Sequence, residues 1–303
     1  MSNRPPPEIP PREYPDEPMV LYEANDGVAL VTINRSEVLN AINREVSKLL
    51  LEAFAKAEAD DEVRAIILTG RGRAFSAGGD MNESSAAILA STESGDSSQA
   101  EAGGPGRVGD GDDGPESVHQ AIWDLSKPVI AAVKGYAVGQ ACELAGVCDF
   151  TVAADDAKLG EIQIRHGYGP PFLITPYLTT LKRAKEILLL GELMDAHEAK
   201  LVGLVNRVVP ADDVMTTAED MAKKLASLPN QTMRMNKALI NRTYELRGFG
   251  AGVNYRDDET FMELWTGSQR DEETLSRLRV LQERGWNAFR NERDAAYRDE
   301  RGG

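Results

Sequence analysis

The chain has 303 residues, 42% of them hydrophobic, and a formal net charge of −15. That length fits one α/β domain of about 200–250 residues with added segments, and the acidic balance argues against nucleic acid or an anionic membrane as partner. No run reaches the ~18 apolar residues of a membrane helix, and "MSNRPPPEIPPREYPDEP" has no apolar centre of a secretion signal, so a cytoplasmic location is expected.

Residues 1–18 are proline-rich and charged, which suits an extended arm. A folded core is expected over 19–212. It opens with the strand "VALVTI" after the turn Asn25-Asp26-Gly27. In "SEVLNAINREVSKLLLEAFAKAEAD" the residues Leu39, Ile42, Val46, Leu49, Leu50 and Phe54 recur at helical spacing, with Ser36 as the predicted N-cap. The strand "VRAIILTG" follows, and this β–α–β order predicts a parallel pair with a crossover helix. Residues 84–117 are rich in Gly, Ser, Asp and Pro and predict a flexible insert. Strand "KPVIAAVKG", a short helix through "GQACELAGV", strand "DFTVAADD" and helix "TTLKRAKEILLLG" come next, and 213–303 reads as a helical region.

Two glycine-bearing segments each follow a strand. In "GRAFSAGGDM", Ala77, Gly78 and Gly79 are small enough to let backbone N–H groups approach a ligand. In "KGYAVGQACELAGVCD", Gly139 bends the chain into a helix starting near Gln140, whose first N–H groups have no intrahelical acceptor. Glu143 lies one turn in, among Ala, Cys, Leu, Gly and Val, where a carboxylate is costly unless paired or protonated. Two sets of N–H donors beside one buried acid can stabilise an enolate oxygen while a proton moves. The chain has no G-x-x-x-x-G-K-[ST] loop and no G-x-S-x-G elbow. His119, His166 and His197 are scattered, and Cys142 and Cys148 read as buried apolar residues, so no metal site is expected.

The segment "AKLGEIQIRHGYGPP", residues 157–171, alternates polar residues with Ile as an extended strand would. In that conformation Glu161 and Gln163 share one face and His166 lies on the other.

In order along the chain, "INRSEVLNAIN", "VRAIILTGRGRAFSAGGDM", "KPVIAAVKGYAVGQACELAGVCDFTVAADDAKLG", "AKEILLLGELMDAHEAKLVGLVNRVVP" and "NKALI" closely resemble the crotonase, or enoyl-CoA hydratase/isomerase, superfamily over about residues 19–242, with "GWNAFRNER" a weaker match. The resemblance implies an α/β crotonase-type spiral of repeated β-β-α units with a C-terminal helical oligomerisation region, assembled as a homotrimer or hexamer. It also implies an acyl-CoA thioester as substrate, with no further cofactor. The backbone N–H groups of Gly79 and Gln140 match the family's oxyanion hole, and Glu143 matches its first catalytic glutamate. Ala77, Gly78 and Asp80 fall along the CoA-binding segment, and Arg35, Arg71, Arg73, Lys237 and Arg293 fall in segments that flank CoA.

This chain departs from the family in two places. Gly139-Gln140-Ala141 stands where the family commonly has three glycines, and Gln163 stands at the position of the second hydratase glutamate, with Glu161 two residues earlier. A neutral amide cannot take a proton as that glutamate does. Three readings stay open: an enolate-forming acyl-CoA enzyme using Glu143 with Glu161 or His166 as partner, a thioester or β-diketone hydrolase on the same fold, and a CoA-binding homologue without catalysis.

Overall fold

The structure is a computed structural model that describes residues 17–94, 117–253 and 259–297. The chain enters its main sheet through a hairpin of β1 (Val20–Asn25) and β2 (Val28–Ile33), paired antiparallel. Asp26 and Gly27 both take positive φ, 49° and 79°, the tight two-residue turn that twisted strands favour. Ala29, Val31 and Ile33 of β2 alternate into the core with no exposure.

Helix α1 (Arg44–Ala59) crosses over to β3 (Ala65–Gly70), which pairs parallel to β2. Its start lies later than expected from Ser36. Residues 36–38 form one 3-10 turn, after which Leu39 and Asn40 adopt left-handed backbone (φ 53° and 57°) and break the helix. Asn43 then caps α1, its side chain accepting from Val46 N–H. The buried Asn40 side chain holds this loop down, donating to the carbonyls of Arg71 (2.9 Å) and Ala74 (2.8 Å) and accepting from Arg35 N–H (2.9 Å).

Helix α2 (Met81–Ser94) follows β3, so residues 84–94 of the expected flexible insert are helical, which is a correction. Residues 95–116 of that insert lie outside the described residues. After α3 (Val118–Asp124) come β4 (Val129–Val133), β5 (Tyr136–Val138) and α4 (Gln140–Val147), then β6 (Phe150–Ala154) and β7 (Lys158–Gly160). A 3-10 turn, Ile162–His166, leads to α5 (Thr175–Leu178) and α6 (Leu181–Leu190). Then β8 (Met194–Asp195), α7 (Ala196–Leu201) and β9 (Arg207–Val209) complete the sheets.

The main sheet has strand order β1-β2-β3-β4-β6-β9, and a second sheet has order β5-β7-β8. Successive strands β4–β5 and β6–β7 each step from the first sheet to the second, which gives the spiral of repeated β-β-α units. Helix α8 (Val214–Ala226) lies over the main sheet, with Val214, Ala218 and Ala222 fully buried; these small side chains let it sit close.

The C-terminal region is helical, as expected: α9 (Asn230–Glu245), α10 (Phe249–Val253), α11 (Glu259–Arg270) and α12 (Glu272–Arg293). Helix α12 is divided at Gly285 (φ 79°), and it packs on α2 and the 3-10 turn of its own chain through Leu275, Leu278, Leu281 and Phe289. Gln282 Nε2 donates to Ser85 Oγ (2.8 Å), fixing α12 against α2.

Candidate active site

The two glycine-bearing segments meet. Ile42 forms a parallel bridge with Gly79, and Ser76 does so with Ala137, so the stretch 76–80 is stitched between the loop below α1 and β5. Gly78 sits at φ +84°, and a Cβ there would come within 2.5 Å of the Val138 carbonyl oxygen. Only glycine fits so close an approach. Ala77 and Asp80 N–H groups are used on the carbonyls of Leu39 and Ile42 (2.8 and 2.9 Å). By contrast, the N–H groups of Gly79 and Gln140 donate no hydrogen bond among the described residues. Gln140 is the first residue of α4, entered through Gly139 at φ 57°, so its free N–H follows from helix geometry.

Both residues line a cavity of about 360 Å3, with Ala77, Gly78, Asp80 and Gln163 also in its wall. The C-terminal helix closes one side through Trp286, Arg290 and Arg293.

Behind this wall lie two carboxyl groups, Glu143 and Glu161, 0% and 1% exposed. Gln163 Nε2 donates to both, 3.0 Å to Glu143 Oε1 and 2.7 Å to Glu161 Oε2. Glu143 Oε2 accepts from the backbone N–H of Phe172 (2.7 Å), and Glu161 Oε1 pairs with Thr175 Oγ1 at 2.6 Å. Burial pushes the Glu161 carboxyl above its ordinary value, while hydrogen bonds from Thr175, from Gln163 and with Glu143 oppose that rise. A hydrogen bond between two carboxyl groups needs a proton on one of them. Gln163 lines this cavity and the two carboxyls do not, while Glu161 lines a neighbouring cavity of about 490 Å3 together with Gln163 and Tyr168.

The segment 157–171 is not the alternating strand its pattern suggested. Only residues 158–160 are extended, and 162–166 close into a 3-10 turn. In that turn residues three apart eclipse, which brings His166 to the same side as Gln163 instead of the opposite side; both line the cavity. Burial, with help from Arg293, Arg277 and Arg165 and against Asp294, pushes the His166 imidazole down to about 3, so it is neutral.

Two expected CoA contacts have other partners. Arg35 is 1% exposed and does not line the cavity; its Nη1 donates to Ala41 O (2.6 Å) and to Asp80 Oδ2 (3.1 Å). Lys237 is likewise buried, its Nζ donating to Lys127 O (3.0 Å) and Asp149 Oδ2 (2.7 Å), away from the cavity. Both are held as internal struts in this structure. Arg71 pairs with Glu17, outside the cavity wall. Arg73 and Arg293 do line it, and Arg293 is ion-paired with Asp294 at 2.7 Å.

Several contributors were not singled out from the sequence: Phe172 through its N–H, Thr175 through its hydroxyl, and Tyr168 and Trp286 in the cavity wall. The Gly-Tyr-Gly-Pro-Pro turn and the weak "GWNAFRNER" match were the available signals for Tyr168, Phe172 and Trp286. Both cysteines are buried and unlinked, as expected. No helix among the described residues is long and apolar enough to cross a membrane.

The family described as enoyl-CoA hydratase/isomerase matches residues 23–299. A probable enoyl-CoA hydratase of Mycobacterium bovis is 35% identical over 233 residues, covering 75% of this chain and 82% of its own length. A short-chain-enoyl-CoA hydratase of Clostridium acetobutylicum is 33% identical over 257 residues, covering 80% and 92%. The crystal structure of an enoyl-CoA hydratase/isomerase from Xanthobacter autotrophicus Py2 superposes with a TM-score of 0.78 at 30% identity, covering 92% of this chain and 98% of that one. With the spiral fold and the paired glycine segments, these matches place the chain in the enoyl-CoA hydratase/isomerase family of enzymes.

Proposed function

We propose that the protein transfers protons on an enoyl-CoA thioester through an enolate, with Glu143 as the general acid–base. The observation that carries this reading is the pair of unused N–H groups at Gly79 and Gln140 on one cavity. Two such donors hold the thioester oxygen and favour the charge that develops on it when the α-carbon gains or loses a proton. Glu143 accepts hydrogen bonds on both oxygens, which suits a carboxylate. Glu161 likewise accepts on both oxygens, from Gln163 and Thr175, while burial raises its proton affinity. Two neighbouring carboxyls can take and supply protons on one substrate. Gln163 turns aside when substrate enters, since it bridges both groups in the free protein. Hydration and double-bond migration are the two reactions this pair serves.

Incubation of an enoyl-CoA panel in deuterated buffer, read by mass spectrometry, tests this. The wild type incorporates deuterium into the acyl chain, with water addition or a shifted double bond, and Glu143→Gln loses about 10²- to 10⁴-fold of that rate. Thioester cleavage with no deuterium in the acyl chain would instead assign a hydrolase. One observation favours a second reading, thioester binding without turnover: Gln163 lines the cavity while Glu143 and Glu161 do not. Tight binding with no deuterium in any acyl chain would establish it.

Assembly into a trimer or hexamer is supported by exposed apolar residues outside the site, among them Leu189 (65%), Leu201 (87%), Leu239 (56%) and Ile240 (58%). Light scattering on the purified protein measures the assembly, and a monomer at all concentrations would refute it.

A further inference from the structure

Most buried polar side chains in this core are well bonded: Asn40 makes three hydrogen bonds, and Lys127 Nζ reaches two carbonyls. The wall of the candidate site is different. The Gln140 side chain belongs to a residue only 3% exposed, yet neither its Nε2 nor its Oε1 has a hydrogen-bond partner. Gln163 Oε1, His166 Nδ1 and Tyr168 Oη are also buried and unpartnered, and all four residues line the same cavity. Buried donors and acceptors left unbonded cost free energy, so such a cluster marks where a ligand or water completes the network. Among these groups the Gln140 amide has nothing holding either end, so it is the one most free to turn onto a ligand.

We propose that the Gln140 side chain is a specificity determinant that hydrogen-bonds a hydroxyl group carried by the acyl chain. The inference rests on reading the cavity as an acyl-CoA site. The N–H of Gln140 is then one of the two groups on the thioester oxygen, so its side chain reaches only atoms within a few carbons of the thioester. An anionic acyl group cannot donate to the Gln140 carbonyl, and it meets Glu143 and Glu161 directly behind Gln163. A cationic group cannot accept from the amide N–H. A hydroxyl does both, and so matches an amide with both ends open. His166 is neutral and does not ask for a charged partner.

Calorimetric titration with isosteric thioester pairs tests this: 4-hydroxybutanoyl-CoA against pentanoyl-CoA, and 5-hydroxypentanoyl-CoA against hexanoyl-CoA. None has the double bond of an enoyl substrate, so binding is read without turnover. In the wild type at least one hydroxylated ligand binds about threefold to tenfold tighter than its isostere, the worth of one added hydrogen bond. In Gln140→Leu, and in Gln140→Met as a second variant of similar shape, that preference falls to about onefold to twofold. Equal affinities within both pairs in the wild type overturn the inference while leaving the acyl-CoA reading intact, as does a preference that persists in the variants. Failure of all four thioesters and of CoA itself to bind removes the acyl-CoA reading and the inference with it.

Discussion

Glu143 and Glu161 are linked through one nitrogen: Gln163 Nε2 lies 3.0 Å from an oxygen of the first and 2.7 Å from an oxygen of the second. A single NH2 group has two hydrogens, and both are used here. Gln163 is therefore the clamp between the two carboxyls. These bonds let two acidic groups be buried side by side. The two amide hydrogens satisfy one oxygen of each carboxyl, while Phe172 N–H and the Thr175 hydroxyl satisfy the others.

Replacing that clamp by a third carboxyl has two separable effects. In Gln163→Glu an acid stands where the amide bridges Glu143 and Glu161, and hydration of a 2-enoyl-CoA is expected to rise by about tenfold or more, as a positioned general acid–base contributes. The protein is also expected to lose about 2–4 kcal/mol of stability near pH 8, because a buried like charge replaces a bonded amide. Acidification restores stability as the added group enters neutral. Urea titrations at several pH values, with a hydration assay, read both effects; an unchanged rate with unchanged stability contradicts the clamp.

His166 sets one slope of stability against pH. Its native value near 3 lies below the ordinary 6.5, so the unfolded chain takes the proton first. The stabilisation is complete above about pH 6.5 and is lost as pH falls toward 3, by up to about 1.4 kcal/mol per pH unit. His166→Phe keeps the ring contacts with Tyr168 and Phe289 and removes the proton site. Its denaturation midpoint is expected to change less than that of the wild type between pH 6.5 and 4. Parallel curves for the two proteins refute this.

Glu161 contributes the opposite slope. Its native proton affinity is raised above the ordinary 4.5, so its stabilisation is present below that pH and is lost as pH rises through the native value. In Glu161→Gln the amide keeps an oxygen for Thr175 or Gln163 and cannot ionise. Relative to the wild type, this variant is expected to gain stability progressively as pH rises above 4.5. A constant offset across pH 4–9 shows that Glu161 does not titrate in the folded protein.

Much of this fold can be read in the residues themselves. The Asn25-Asp26-Gly27 turn, the buried run of β3 and the break at Gly139 each have a local cause, and each was found where the pattern placed it. The segment 157–171 was misread because polar and apolar residues alternating over five positions fit a strand of period two, whereas the turn that forms buries Gln163, Arg165 and His166 and exposes Ile164. The deciding fact is external: β7 has partners in β5 and β8 for three residues only, and beyond Gly160 the backbone must bond to itself. Arg35 shows a related dependence on the surrounding fold. Its charge suggested a phosphate, while its actual partner, Asp80, is set by the left-handed loop at Leu39 and Asn40. The placement of α12 over its own cavity depends on contacts between residues almost 200 apart, such as Gln282 with Ser85, and leaves only a weak local trace.

Arg35 is expected to matter for folding and not for CoA affinity. Arg35→Met removes a guanidinium buried to 1% and leaves Asp80, 14% exposed, without its cation. Breaking a buried pair from one side costs about 3–5 kcal/mol, so a clear drop in melting temperature is expected. Any folded fraction should bind CoA within about twofold of the wild type, since the side chain does not reach the cavity. A large loss of affinity with unchanged stability returns Arg35 to the ligand.

Gly78 tests the oxyanion hole through the backbone. At φ +84° an alanine suffers the left-handed penalty of about 1–2 kcal/mol, and its methyl would lie 2.5 Å from the Val138 carbonyl oxygen. The carbonyl belongs to β5, a short strand already paired with β7, so the stretch 76–80 has to move instead. That displaces the neighbouring N–H of Gly79. Loss of one such donor costs about 10²- to 10³-fold in kcat, and Gly78→Ala is expected to fall in that range. Gly248 provides the control: its φ is +85°, but a Cβ there meets nothing within 4 Å. Gly248→Ala carries the backbone penalty alone and should lose stability without losing kcat. Equal kcat losses in the two variants trace the effect to global strain; a loss confined to Gly78→Ala assigns it to the displaced donor.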